Sequence, residues 1–204
     1  MPRRNRSGGA CLYFAVMGQT VVMADKNSYT VPGLSSDVGA RVAAILQDRL
    51  NAYNDLHLTL KHIHWNVVGP NFISVHEMLD PQVEAVRGFA DEVAERIATL
   101  GSSAKGTPGT IVKERSWDDY SIGRATAIEH LGALDLVYTG VIETTRKNIE
   151  EVGEIDPITE DMLIGQSAQL ELFHWFVRAH LENSGGQLST ASATSEVDAA
   201  KQAG

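Results

Sequence analysis

Residues 64–96 read HWNVVGPNFISVHEMLDPQVEAVRGFADEVAER, and the fold we expect depends on this stretch. Its apolar residues return every three or four positions, which is the spacing of one face of an α-helix. They are Val75, Leu79, Val83, Val86, Ala90 and Val93, followed by Ile97 just beyond the stretch. The pattern predicts a long helix over residues 71–100, ended by Gly101 because glycine favours helix C-termini.

The same period recurs on both sides of this helix. It predicts three more long helices, over residues 36–66, 116–152 and 157–183. Ser116 with Asp119 matches a capping box for the third helix, and Asp156 before Pro157 matches an N-cap for the fourth. The loop around Pro108 is expected to hold a short helix between the second and third helices. No strand is predicted, so the fold class is all-α, a four-helix bundle.

The two ends of the chain differ in composition from this bundle. Residues 1–28 are predicted to be a flexible N-terminal extension, or an untranslated one if synthesis starts at Met17 or Met23. Arginines and an apolar run there loosely imitate a secretory signal, but residues 18–20 (GQT) interrupt the run. Residues 184–204 are small, polar and aperiodic, which predicts a flexible C-terminal tail.

Charge and composition restrict the class of protein. The net charge is -9; because residues 1–30 contribute +3 and residues 184–204 contribute -1, residues 31–183 hold -11. Such a body repels nucleic acid and attracts cations. No run reaches the ~18–20 apolar residues of a membrane span. The single cysteine, Cys11, excludes an internal disulfide and suits the reducing cytoplasm.

Four potential metal ligands lie along one side of the second predicted helix. His76 and Asp80 are one turn apart, and so are Asp91 and Glu95. At ~100° per residue all four fall within an arc of roughly 100°. Imidazole and carboxylate ligands without thiolates suit iron, zinc or manganese.

Each of these residues also has an ordinary interpretation. Asp80 precedes Pro81 and would cap a restarted helix, His76 would be a hydrogen-bonded core histidine, and helix carboxylates are usually solvated. Taken together, however, these residues are flanked by apolar neighbours that favour burial. Burying each unpaired charge would lower the free energy of unfolding by several kcal/mol. A metal relieves that cost by binding the deprotonated groups, so we favour the metal site.

The spacing of the two pairs predicts a second copy of the chain. Their centres are 15 residues apart, or ~22 Å along a helix, too far to meet at one ion. An antiparallel partner helix crossing near Ala85 and Val86, with Gly88 and Ala90 permitting close approach, would join opposite pairs at two equivalent sites. His64 can fold back through the turn that follows it and add a nitrogen.

These residues resemble the Dps family, the miniferritins also called DNA-binding proteins from starved cells. The resemblance covers residues 29–183 and rests on HWN at 64–66, VHEMLD at 75–80, and FHWFVRAHLE at 173–182. It also includes the later Asp91 and Glu95. YTVPGL at the start and LDLVYTGVIE in the third helix look most like actinobacterial members.

The resemblance implies a ferritin-like bundle with a di-iron ferroxidase site shared across a two-fold axis. His64, His76 and Asp80 would come from one subunit and Asp91 and Glu95 from its partner. It also implies a cytoplasmic dodecamer that oxidises Fe(II) with hydrogen peroxide or oxygen, stores ferric mineral and protects against oxidative stress. Trp65 would be an electron source beside the site, although simple packing of its ring at a helix end explains it equally well.

Acidic residues at the start of the fourth helix suggest an entrance for iron. They are Glu154, Asp156, Glu160 and Asp161. By resemblance, Asp156 and Asp161 would line a pore on a three-fold axis; the alternative is carboxylates favoured by the helix dipole. Glu171 and His174 form a single E-x-x-H, which we interpret as packing because the bundle di-iron design needs two copies. His57 is likewise expected to pack.

Two other functions are also compatible with the sequence. A nucleoid-compacting protein would bind DNA through Arg3, Arg4 and Arg6, because the C-terminal residues are not basic. A metal-dependent hydrolase would use the same ligands to activate water. The favoured interpretation is a homo-oligomeric ferroxidase that takes iron and peroxide, without a membrane partner.

Overall fold

The computed structural model describes residues 29–204 as a bundle of long helices. Its elements are α1 (Ser36–Asn66), β1 (Val67–Val68), α2 (Phe72–Thr99), α3 (Pro108–Glu114), β2 (Ala125–Thr126), α4 (Ala127–Gly153), α5 (Pro157–Leu181) and α6 (Glu196–Ala203). The all-α bundle and the short helix between its second and third long helices are confirmed. Residues 1–28, with the predicted extension, lie outside the described part.

The four long helices pack as two pairs around one apolar core. α1 lies along α2, and α4 lies along α5. The largest fully buried apolar side chains come from α1, α2 and α4 and from the residue just after α2: Leu46, Tyr53, Leu56, Leu60, Ile63, Leu79, Ile97, Leu100, Leu131, Leu134 and Tyr138. The seven periodic apolar residues of α2, from Val75 to Ile97, are all buried in this core, as their period predicted.

The third long helix begins later than predicted. Thr126, not Ser116, opens α4, and Glu129 completes its capping box. The residues around Ser116 are held in a loop because Asp55 of α1 accepts hydrogen bonds from Trp117 Nε1 at 2.8 Å and Arg115 Nη1 at 3.3 Å. This loop leads into β2, which pairs in parallel with β1. The capping-box signal at Ser116 was therefore outweighed by a tertiary contact.

The C-terminal residues also differ from their prediction, because they fold back onto α4. Thr190 is buried and its hydroxyl donates to Asp135 Oδ2 at 2.8 Å. Glu196 accepts hydrogen bonds from the backbone and side chain of Ser121, each at 2.7 Å. α6 then lies on α4 with Ala199 and Ala200 buried. Small residues, which suggested a flexible tail, here permit close helix packing.

Gly132 is the closest point of this contact and gives a direct test of it. A Cβ built there would lie 2.6 Å from the Ala199 carbonyl oxygen, whereas one at Gly140 of the same helix meets nothing within 4 Å. We expect Gly132→Ala to destabilise the docked α6 by about 1–2 kcal/mol through overpacking and to speed proteolysis of the C-terminal residues. Gly140→Ala, the matched control, should stabilise α4 slightly; equal proteolysis of both variants would contradict the packing argument.

Candidate metal centre

A tight turn brings the end of α1 against the start of α2. Asn66 closes α1 by donating from Nδ2 to the His62 carbonyl oxygen at 2.7 Å. Gly69 follows with φ of +95°, a backbone conformation that glycine adopts without strain. α2 therefore runs back along α1 and places His76 beside His64, as the fold-back of His64 predicted.

His64 and His76 are stacked and held by each other's backbone. Their ring centroids are 3.5 Å apart at an interplanar angle of 23°. His64 Nδ1 donates to the His76 carbonyl oxygen at 2.9 Å, and His76 Nδ1 donates to the His64 carbonyl oxygen at 2.8 Å. Because a carbonyl only accepts, each Nδ1 carries a hydrogen, which leaves Nε2 as the ring atom through which each histidine could bind a metal.

Asp80 completes this group at its exposed side. Its Oδ1 lies 3.3 Å from His64 Nδ1 and 3.1 Å from Lys61 Nζ. The hydrogen bond from Lys61 lowers the pKa of Asp80, so the carboxylate is ionised and available as a ligand at neutral pH. We call His64, His76 and Asp80 the half-site.

Lys61 was missed by the sequence analysis. The available signal was its position three residues before His64 and four before Trp65, which places all three along neighbouring rows of one helix. Trp65 is 70% exposed, and the Lys61 ammonium lies 5.8 Å from its ring centroid. The electron-source role of Trp65 stays a prediction.

Asp91 and Glu95 lie at the other end of α2. Both are exposed, whereas Val86 and Ala90 are buried in the chain's own core. The role given to Ala90 in close approach is therefore wrong, whereas a crossing near Ala85 and Val86, where Ala85 is only half-buried, stays a prediction. Gly88 remains on the exposed face with open space around it. A partner helix would meet α2 along Gly88 and its exposed neighbours.

The structure thus brings together three of the five predicted ligands and leaves two apart. Within residues 29–204, no three His, Cys, Asp or Glu side chains of one chain are arranged to hold a metal ion by themselves. The donor set of the half-site, two imidazole nitrogens and a carboxylate, fits a first-row divalent metal. It needs further ligands from outside the chain to complete a coordination sphere.

The predicted pore acids separate into one buried and one exposed residue. Asp156 is 4% exposed, and its carboxylate binds Arg96 Nη2 at 2.7 Å and the Thr159 hydroxyl. Burial would raise the pKa of Asp156, but the Thr159 and Arg96 contacts lower it overall. Asp156 is therefore a structural residue that ties α5 to α2, and its assignment to a pore is wrong. Asp161 is exposed, so its role stays a prediction.

His174 and His57 take the packing roles that were predicted for them. His174 Nε2 donates to Asp135 Oδ1 at 2.6 Å, while Glu171 pairs with Arg146 at 2.7 Å. The E-x-x-H residues therefore face different partners. His57 is half-buried beside α2 and lines a shallow cleft with Asp91, so it lies near the acidic end and not beside His64.

A cavity of about 490 Å³ lies away from all of these ligands. It is enclosed by α1, α4, the loop before α4 and the start of α6, with Trp117 and Tyr120 in its wall. None of the five predicted metal ligands lines it. Among the described residues, no helix is long and apolar enough to cross a membrane.

Comparison with known proteins gives a consistent relationship. A family model described as a ferritin-like domain matches residues 43–184. The DNA protection during starvation protein of Mycolicibacterium smegmatis is 63% identical over 176 residues, which cover 86% of this chain and 96% of that protein.

Solved structures agree with this result. Mycobacterium smegmatis Dps has a TM-score of 0.80 at 64% identity, covering 82% of this chain and 96% of that one. DpsA14 from Streptomyces coelicolor has a TM-score of 0.79 at 66% identity, covering 80% and 97% respectively. The chain, a ferritin-like helical bundle, therefore belongs to the Dps family.

Proposed function

We propose that this protein oxidises ferrous iron at sites shared between two subunits and stores the product as ferric mineral inside a homo-oligomeric shell. One observation carries the proposal: the half-site, with its two anchored imidazoles, at one end of the exposed face of α2 and a pair of exposed carboxylates, Asp91 and Glu95, at the other. In an antiparallel dimer each half-site meets the partner's acidic pair, giving two sites per dimer. The expected assembly has twelve subunits and is cytoplasmic.

The half-site residues hold and orient iron as a substrate. The hydrogen bonds to the two backbone carbonyls fix the imidazole rings with Nε2 as the metal-binding atom. Binding then does not have to pay for selecting a tautomer and a ring orientation. Asp80, Asp91 and Glu95 supply anionic oxygens that favour Fe(III) over Fe(II), because the interaction grows with the charge of the ion. The acidic body, which holds -11 over residues 31–183, concentrates cations around the shell.

Pairing two iron ions explains how peroxide would be consumed safely. Each of two Fe(II) ions gives one electron to hydrogen peroxide, whose O–O bond breaks and whose oxygens leave as two waters after uptake of two protons. A single iron would supply only one electron and leave a hydroxyl radical. The shared site therefore links iron storage to protection against oxidative stress, with oxygen as an alternative oxidant.

DNA is the less favoured partner. The C-terminal residues are docked on α4, and they carry Lys201 against Glu196 and Asp198. DNA binding would fall to the arginines of residues 1–28, outside the described part, and would weaken steeply with salt. Neither the half-site nor the relatives favour the hydrolase alternative.

Loss of the half-site should abolish iron oxidation. We expect His76→Ala with Asp80→Ala to reduce peroxide-dependent ferric formation by at least about 100-fold, since even outer partners of metal ligands cost ~10–100-fold when removed. The measurement is absorbance of ferric product after Fe(II) and peroxide are added to metal-free protein.

The matched control is His180→Ala with Glu150→Ala, which removes an exposed histidine of α5 and an exposed acid of α4, both away from α2. Its rate should equal that of the wild type. Native mass should be about twelve protomer masses for all three proteins. Equal rates in the half-site variant and the control would defeat the proposed function.

A further inference from the structure

The Lys61 side chain places a positive charge beside the half-site. Its ammonium lies 3.1 Å from Asp80 Oδ1, the same oxygen that approaches His64. Its side chain is 26% exposed, so the stem is packed while the charged end reaches solvent. The only carboxylate of the half-site is thus already neutralised before any metal arrives.

A divalent metal that binds Asp80 competes with the lysine for this carboxylate. Asp80 would have to share one carboxylate between an ammonium and a doubly charged ion a few ångströms apart, and those two cations repel each other. The two imidazoles contribute no negative charge to offset the repulsion. Metal binding through Asp80 Oδ1 therefore requires the Lys61–Asp80 ion pair to break.

The Trp65 ring can serve as a second interaction partner for the displaced Lys61 ammonium. The Lys61 nitrogen already lies 5.8 Å from the indole centroid, within the range of a cation–π contact. Rotation of the lysine side chain away from Asp80 needs no change in α1, because Lys61 and Trp65 are one turn apart on it. The ammonium can exchange one partner for the other.

We propose that Lys61 is a displaceable counter-ion of the half-site, which holds Asp80 in place when no metal is bound and moves towards Trp65 when a divalent metal binds. Lys61 is a positioning residue, acting on the metal through Asp80. Its presence lowers metal affinity and keeps the metal-free carboxylate paired. This inference rests on the proposed function, because it requires the half-site to bind metal.

Binding of a redox-inert ion tests the first part. Zn²⁺ is titrated into metal-free assembled wild type, Lys61→Met and Lys61→Arg, with binding followed by calorimetry. Lys61→Met keeps the apolar stem and removes the charge, so it should bind Zn²⁺ about fivefold more tightly than the wild type. Lys61→Arg keeps the competing charge and should bind no more tightly than the wild type.

Trp65 fluorescence tests the second part. Zn²⁺ has a closed shell, so a change in indole emission on loading reports the surroundings of the ring. We expect an emission change in wild type that is absent in Trp65→Phe, strongly reduced in Lys61→Met and restored in Lys61→Arg. A merely structural lysine would not produce this pattern.

The outcomes separate the two proposals. If wild type binds Zn²⁺ through His76 and Asp80 but Lys61→Met binds no more tightly, the counter-ion role is overturned and the proposed site stands. If Lys61→Met binds more tightly while Trp65 emission is unchanged in every variant, the move towards Trp65 is overturned. If His76→Ala with Asp80→Ala binds as the wild type does, both proposals fail.

Discussion

Two inactive variants should regain iron oxidation when they are assembled together. The first variant carries His76→Ala with Asp80→Ala, and the second carries Asp91→Asn with Glu95→Gln. A dimer of either variant alone lacks metal ligands at both of its sites. In a mixed dimer one site loses all of these ligands, but the other joins an intact half-site to an intact acidic pair. Random mixing should therefore restore about one quarter of the wild-type sites.

The measurement is initial ferric formation after the two variants are unfolded together and reassembled at equal amounts. Variants mixed as preformed assemblies, without exchange of subunits, serve as the control and should stay inactive. A site built within one chain could not be rescued in this way, because each variant would remain deficient in every copy. Absence of rescue in mixed assemblies of correct mass would overturn the shared geometry.

The sequence predicted the helices well where one face of the helix is buried. It predicted them poorly where the start of a helix depends on a contact with residues that are distant in sequence. The periodic apolar residues located α1, α2 and α5 to within a few residues, because burial of that face is what stabilises each helix. The start of α4 was wrong because Asp55, far away in sequence, holds Trp117 in a loop. Local capping signals cannot report such a partner.

The candidate site divides in a similar way. Spacing along one helix was enough to place His76 and Asp80 together and to show that Asp91 and Glu95 lie too far away for one ion. Lys61 escaped notice because its relation to Asp80 depends on how α1 lies against α2. Asp156 was assigned to a pore by resemblance, within a cluster of acids, whereas its carboxylate is buried and paired with Arg96. A residue pattern within one helix gives no information about ion pairs formed between two helices.

Substitution of Asp135 should have the largest effect on the stability of the subunit. Asp135 is 4% exposed and accepts hydrogen bonds from His174, Arg178 and Thr190, so it joins α4, α5 and the C-terminal residues. We expect Asp135→Asn to cost about 3 kcal/mol, because it leaves the Arg178 charge without its buried partner. The measurement is the urea midpoint at fixed protein concentration.

Thr190→Val is the matched control because it removes one neutral donor from the same cluster and keeps the charges. It should cost about 1 kcal/mol. Both variants should release the C-terminal residues to protease, but only Asp135→Asn should also loosen α5 from α4. Equal urea midpoints for the two variants would contradict the ionic role of Asp135.

The same cluster predicts how stability depends on pH. Burial alone would raise the pKa of Asp135, but the hydrogen bonds from His174, Arg178 and Thr190 outweigh it and lower the pKa to about 2. Because the pKa is lower in the folded chain than in the unfolded one, the stabilisation is complete above about pH 4 and is lost as the pH falls towards 2. That loss amounts to about 2 kcal/mol in the wild type. Asp135→Asn has no such proton to bind, so its unfolding free energy should fall less steeply over this interval, and parallel curves for the two proteins would show that another carboxylate carries the effect.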